Sequence, residues 1–172
     1  MTFTKFSRSG RAARSKAGCR TLAALCLALI VPGFTACRTP APLAPVDLAA
    51  PGWILRQGQA VWQPGPDTPE IAGDLLVAMR SDGSAFVQFT KSPLTLAVAQ
   101  RTPMQWQIEF PMQNRRYTGQ GRSPDRLIWL HLSDALSGNR PPVPWTWQLR
   151  EGDGWLLRND RTGESLEGFL AP

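Results

Sequence analysis

The stretch from Glu70 to Phe110 constrains the possible fold more than any other part of the chain. Apolar and polar residues alternate along it, and period-two alternation is typical of a strand with one buried face. The alternation is interrupted at Ser81–Ser84, which contains an Asp-Gly pair, and again at Lys91–Pro93 and Arg101–Pro103. Such residues favour tight turns between antiparallel strands. The stretch therefore predicts four consecutive strands that share an apolar face.

Further strands are predicted on both sides of this stretch. Residues 52–62 read as an opening strand, and residues 115–119 form a short strand after Phe110. Three more runs, at 145–149, 155–158 and 164–170, are separated by glycine-containing turns. The sequence thus predicts a mainly β fold with a curved antiparallel sheet of about nine strands.

One amphipathic helix is predicted between these strands, near residues 124–137. Ser123 suits the N-cap, Pro124 suits the first helical position, and Gly138 suits the position after the C-cap. A strand over residues 127–132 is the competing interpretation, because apolar residues also alternate there. The residues at the two ends favour the helix, which would cover the apolar face of the sheet as a lid.

The first 36 residues are predicted to be an export signal. Residues 1–20 carry six basic residues and no acidic residue, and residues 21–31 form a short apolar run. A membrane-spanning anchor is the weaker interpretation, because about 20 apolar residues are needed to cross a bilayer. Removal of residues 1–36 would leave thirteen basic and thirteen acidic residues, so the net charge of the remaining chain would be about zero. A nucleic-acid partner is therefore not expected.

The four residues that end at Cys37 resemble the lipobox of bacterial lipoproteins, although Phe34 stands where leucine is usual. This resemblance implies cleavage before Cys37 and attachment of lipid, including acyl groups such as palmitate, to that cysteine. Arg38 follows it, whereas an aspartate would resemble an inner-membrane retention signal. The resemblance thus implies an exported lipoprotein of the outer membrane that faces the periplasm. Ordinary secretory cleavage nearby is the alternative.

The segment after the cysteine is rich in proline and small residues, with prolines at positions 40, 42, 45 and 51. This composition favours extended polyproline II structure and contributes little to a core. We therefore expect residues 37–51 to form a lipidated spacer, followed by a single domain over residues 52–172.

Two passages, IAGDLLVAMRSDGSAFVQFTK and LIWLHLSDALSGNRPPVPW, together with the apparent lipobox, resemble the LolA/LolB-like group of bacterial lipoprotein-localisation factors. The likeness is one of pattern and order over most of the chain. It implies a half-barrel whose concave apolar side is covered by helices and receives lipoprotein acyl chains. This sequence departs from the family in two respects. It has room for only one lid helix, whereas several helices cover the concave side in the family. The Ser81–Ser84 turn is also too short and too polar to match the protruding apolar loop of the LolB-type receptor.

The expected function follows from this resemblance and from the tryptophans. An outer-membrane lipoprotein would bind acyl chains of lipids or other lipoproteins in an apolar concavity between sheet and helix. The alternative is a structural or assembly-partner lipoprotein in which the same residues fill a packed core. The predicted lining residues are Trp106, Ile108, Ile128, Trp129, Leu132, Trp145 and Trp147.

Residues suited to catalysis are few. His131 is the only histidine, so no histidine pair is available for a metal, and the serines lack a nucleophile-elbow setting. Glu164 and Glu167 are three residues apart, which places them on opposite faces of a strand. We therefore expect no enzymatic activity, no catalytic residue, no metal and no cofactor. An envelope hydrolase is the weaker alternative.

Overall fold

The computed structural model describes residues 40–171 of the chain. The described residues form nine antiparallel strands in one sheet that does not close, and one α-helix, as predicted. The helix is α1 (Ile128–Leu136). The strands are β1 (Ile54–Gln63), β2 (Ile71–Met79), β3 (Ala85–Lys91), β4 (Leu94–Arg101), β5 (Gln105–Phe110), β6 (Arg115–Gln120), β7 (Trp145–Leu149), β8 (Gly154–Asn159) and β9 (Ser165–Leu170).

The sheet has the half-barrel-like form that the sequence predicts, with strand order β6-β5-β4-β3-β2-β1-β9-β8-β7. β1 pairs with both β2 and β9, so the C-terminal strands extend the sheet from the far side of β1. Gly58 lies where β1 and β9 approach each other closely. A Cβ at that position would lie 1.9 Å from the carbonyl oxygen of Phe169, so only glycine fits without a shift of the backbone.

The core lies between α1 and one face of the sheet, which we call the inner face. Trp129 of α1 is 2% exposed and stacks on Phe89 of β3, with a distance of 5.1 Å between ring centroids. Trp62 of β1 meets Trp129 edge-on at 5.3 Å. Offset and edge-on aromatic pairs of this kind stabilise a core beyond the area that they bury.

The helix begins four residues later than predicted. Leu127 is the N-cap residue and has extended backbone angles, and Ser123 makes no capping hydrogen bond to α1. The carbonyl oxygen of Pro124 accepts hydrogen bonds from the Leu127 N–H and from His131 Nε2, and that of Asp125 accepts one from the Trp145 indole N–H. Residues 124–127 therefore form a turn that precedes the helix, and its carbonyl groups accept hydrogen bonds from one backbone N–H and from two side chains.

The C-terminal end of α1 agrees with the prediction, because Gly138 follows the C-cap residue Ser137. Gly138 has a φ of +81°, in the left-handed region that favours glycine. Its N–H donates to the carbonyl of Ala135, and the N–H of Asn139 donates to the carbonyl of Asp134. This pair of hydrogen bonds is the Schellman motif, which satisfies carbonyl groups that the helix leaves open.

The part of the expected proline-rich spacer that the structure describes contacts the sheet. Residues 40–53, which we call the strap, cross the face of the sheet opposite α1. The N–H of Leu43 donates to Gln107 Oε1 at 2.9 Å, and Thr118 Oγ1 donates to the carbonyl of Pro40 at 3.4 Å. Period-two alternation places Gln107 on the polar face of β5, yet it is only 3% exposed. A proline-rich segment can therefore dock on a sheet when the sheet supplies hydrogen-bonding partners.

The predicted export signal and Cys37 lie outside the described residues. Within residues 40–171, no helix has the length and apolar character that a membrane span requires.

Candidate functional site

Most of the predicted lining residues lie in the packed core. Trp147 alone among them is half-buried, and it borders an open cavity. The other six are at most 9% exposed, and all six belong to one core cluster. They are Trp106, Ile108, Ile128, Trp129, Leu132 and Trp145.

A groove of about 460 Å³ opens beside the last turn of α1. It is bounded by Leu136 of α1 and by residues of β7, β8 and β9. Its apolar walls are Leu136, Trp147, Leu149, Trp155 and Leu170. The groove exists because α1 ends at Leu136, so the helix does not cover the β7 side of the inner face.

Two stacked tryptophans form the main wall of the groove. The rings of Trp147 and Trp155 are 5.7 Å apart and nearly parallel, with an interplanar angle of 17°. Trp147 pairs in register with Leu157, and Leu149 with Trp155, so the two rings are diagonal neighbours on adjacent strands. Leu149 extends this wall outward and is 79% exposed.

The rim of the groove carries both signs of charge. Arg56, Arg150 and Asp153 border it. Arg150 pairs with Glu167 at 3.4 Å, but both side chains are about half exposed, and such pairs contribute little. Arg56 forms no ion pair with any residue of the described range. An apolar wall with arginines at its rim suits an amphiphile that has an apolar chain and an acidic head group.

His131 has a structural position. It is 3% exposed, and its Nε2 donates to the carbonyl of Pro124 at 3.0 Å. Burial lowers the pKa of His131, opposed by this hydrogen bond and by the nearby Asp134 and Asp125 carboxylates. The neutral imidazole therefore ties α1 to the turn before it. In the described part of the chain, no group of three His, Cys, Asp or Glu residues has the arrangement of a metal site.

Among residues 40–171, Glu164 is the one carboxyl group with a strongly raised pKa. Burial raises the pKa of Glu164 from 4.5 to about 7, and the hydrogen bond from Trp62 Nε1, at 3.1 Å, partly opposes the shift. Trp62 contacts the core tryptophan Trp129, so the carboxyl group lies at the border of the packed region.

Sequence reasoning predicted one of the five apolar wall residues, Trp147, and missed the other four, which are Leu136, Leu149, Trp155 and Leu170. A signal was present for one of them, Leu149. The period-two rule that places Trp145 and Trp147 on one face of β7 also places Leu149 there. Leu170 reaches the groove through the pairing of β9 with β1 and β8, which no local pattern specifies.

The resemblance to lipoprotein-localisation factors has no independent support from sequence comparison. Comparison with models of protein families gave no match, and comparison with curated protein sequences gave none either. Function is therefore inferred from the sequence pattern and from the geometry of the groove.

Proposed function

We propose that this protein is an outer-membrane lipoprotein that faces the periplasm and binds an acyl chain of a lipid or of another lipoprotein. The observation that carries the proposal is the groove of about 460 Å³ walled by Trp147 and Trp155. Ligand pockets commonly have volumes of about 300–1,000 Å³. Burial of the chain supplies the driving force, at about 0.8 kcal/mol per methylene. Binding and release of this kind need no covalent chemistry.

The proposed position of the acyl chain is beside the end of α1 rather than beneath its middle. Entry beneath the middle would require displacement of Trp129, which is buried against Phe89 and Trp62. Entry beside Leu136 and Leu149 displaces only water from surfaces that are already partly exposed. Arg56 at the rim would then face the head group of the ligand.

The proposed membrane anchor is lipid on Cys37. Because the strap is docked from Pro40 onward, only Arg38 and Thr39 separate this cysteine from the folded part of the chain. A mature protein with this arrangement would stay close to the bilayer, where acyl chains are available.

A second candidate is a structural or assembly-partner lipoprotein of the envelope. The packed core beneath the middle of α1 favours it, because Trp129 and Leu132 are buried there within the core cluster. In that case the exposed wall at Leu149 would contact another protein rather than a lipid.

Binding of a fluorescent fatty acid tests the first candidate against the second. We expect saturable binding of dansyl-undecanoic acid to the purified protein, weakened at least about tenfold by Trp147→Ala, because the main wall of the groove is lost. Trp53→Ala is the matched control, since Trp53 is also half-buried but lies on the strap beside Arg80. Absence of binding, together with no co-purified lipid in native mass spectrometry, would exclude the carrier and leave the structural candidate.

Metabolic labelling with radioactive palmitate tests the anchor separately. We expect label on the wild-type protein and none on Cys37→Ser. Equal labelling of both proteins would show that Cys37 is not the lipidated residue. That outcome would not change the interpretation of fatty-acid binding to the groove.

A further inference from the structure

A second cavity, of about 490 Å³, brings together three arginines from separate parts of the chain. Arg101 ends β4, Arg122 follows β6, and Arg140 follows α1. We propose that this arginine cleft, defined by these three residues, binds a phosphate group, either free or on the head group of a lipid. The cleft shares no lining residue with the acyl groove, so this inference is independent of the proposed function.

Arg101 is held in place before any ligand binds. Its two terminal nitrogens donate to the two carboxylate oxygens of Asp134, at 2.5 and 2.7 Å. The pair is about three-quarters buried, which makes it more strongly fixed than an exposed pair. A guanidinium group has five N–H donors, so the bidentate pair leaves donors for a ligand. A pre-positioned arginine loses little conformational entropy when an anion binds.

The other two arginines are available at the mouth of the cleft. Arg122 pairs with Asp125 at 3.1 Å, but the two side chains are 72% and 50% exposed, so the pair is weak. Arg140 is exposed and forms no ion pair with the described residues. With Asp125 and Asp134 counted, three arginines face two carboxylates, which leaves one excess positive charge.

The chemistry of the walls favours phosphate over an uncharged ligand. Guanidinium groups match the oxygens of phosphate with two parallel hydrogen bonds, and such charge-assisted bonds are among the strongest in proteins. Ser123, which is 7% exposed, adds a hydroxyl group to the wall. The cavity volume leaves space beyond the phosphate for a small polar substituent, such as glycerol.

Isothermal titration calorimetry of the protein purified in detergent tests this inference. The probes are inorganic phosphate and dihexanoyl-phosphatidylglycerol below its micellar concentration, with ionic strength held constant by sodium chloride. We expect saturable binding of at least one probe. Tighter binding of the lipid that is weakened by Arg140→Ala but not by Trp147→Ala would identify a head group as the source of the phosphate, and tighter binding of the inorganic ion would identify free phosphate. Both results support the site.

Three arginine variants distinguish a site from general charge. Arg140→Ala and Arg122→Ala should each weaken binding about tenfold, because each removes one charge-assisted contact. Arg161→Ala is the control, an exposed arginine in the turn between β8 and β9. All three should keep the wild-type melting temperature, because these side chains are exposed. No saturable binding by the wild-type protein, or equal weakening in the control, would overturn the inference.

Discussion

Trp129 and Trp147 both point to the apolar side of the fold, yet they have different surroundings. Trp129 is 2% exposed and is enclosed by Phe89 and Trp62. Trp147 is half-buried, stacks on Trp155 and borders an open groove. The difference follows from the length of α1, which covers the sheet only as far as Leu136. The extent of the lid, rather than the residue type, decides whether a tryptophan becomes core or binding surface.

The largest expected difference between these regions is in stability. Trp129→Ala should lower the free energy of unfolding by about 3–5 kcal/mol, because it empties a packed site. Trp147→Ala should cost less than about 2 kcal/mol, because part of this side chain is already in water. Urea denaturation of both variants measures the difference. Equal losses would mean that the groove is packed as tightly as the core.

The carboxyl group of Glu164, at the border of the packed region, should make stability depend on pH. Its folded pKa of about 7 exceeds its unfolded value of 4.5, so the folded protein binds more protons between these values. Stability should therefore fall as pH rises from 4.5 to 7, by no more than about 3 kcal/mol from this group. Denaturation at several pH values should show a smaller slope for Glu164→Gln. Parallel profiles for the two proteins would contradict the prediction.

Gly119 tests whether the packed region has any spare volume. A Cβ there would lie 2.3 Å from the ring of Trp106, its partner on β5, and Trp106 is only 9% exposed. Gly119→Ala should therefore lower stability by about 1–3 kcal/mol, as overpacking does. Gly65→Ala is the matched control, because its Cβ would meet only Thr68 Oγ1 at 3.9 Å. A variant at position 119 as stable as the control would show that the Trp106 ring can move freely.

The smallest effect on stability is expected at the exposed rim of the groove. Leu149→Ser should change the free energy of unfolding by no more than about 0.5 kcal/mol, because this side chain is 79% exposed. The same change should weaken binding of dansyl-undecanoic acid, since it removes part of the apolar wall. Fluorescence titration beside urea denaturation separates the two effects. A loss of stability without a loss of binding would contradict the prediction. It would mean that Leu149 contributes to the packed core and not to ligand binding.

The strands and the end of the helix were predictable because local residues determine them. Alternation marked the strands, Asp82-Gly83 marked a hairpin, and Gly138 marked the end of α1. The start of α1 was predicted wrongly: the turn before the helix is tied to β7 by the hydrogen bond from the Trp145 indole to the carbonyl of Asp125. That contact joins residues 20 positions apart, and no local pattern reports it.

The sequence by itself determined which residues share a face, since side chains in a strand alternate with a period of two. It therefore determined that tryptophans and leucines would line the inner side of one antiparallel sheet. Only the tertiary structure decided which of them are enclosed, because enclosure depends on how far α1 reaches across the strands. Docking of the strap on Gln107 was likewise decided by contacts between distant residues. Side-chain alternation is determined by neighbouring residues in the chain, whereas cavities lie between elements that come together only when the chain folds.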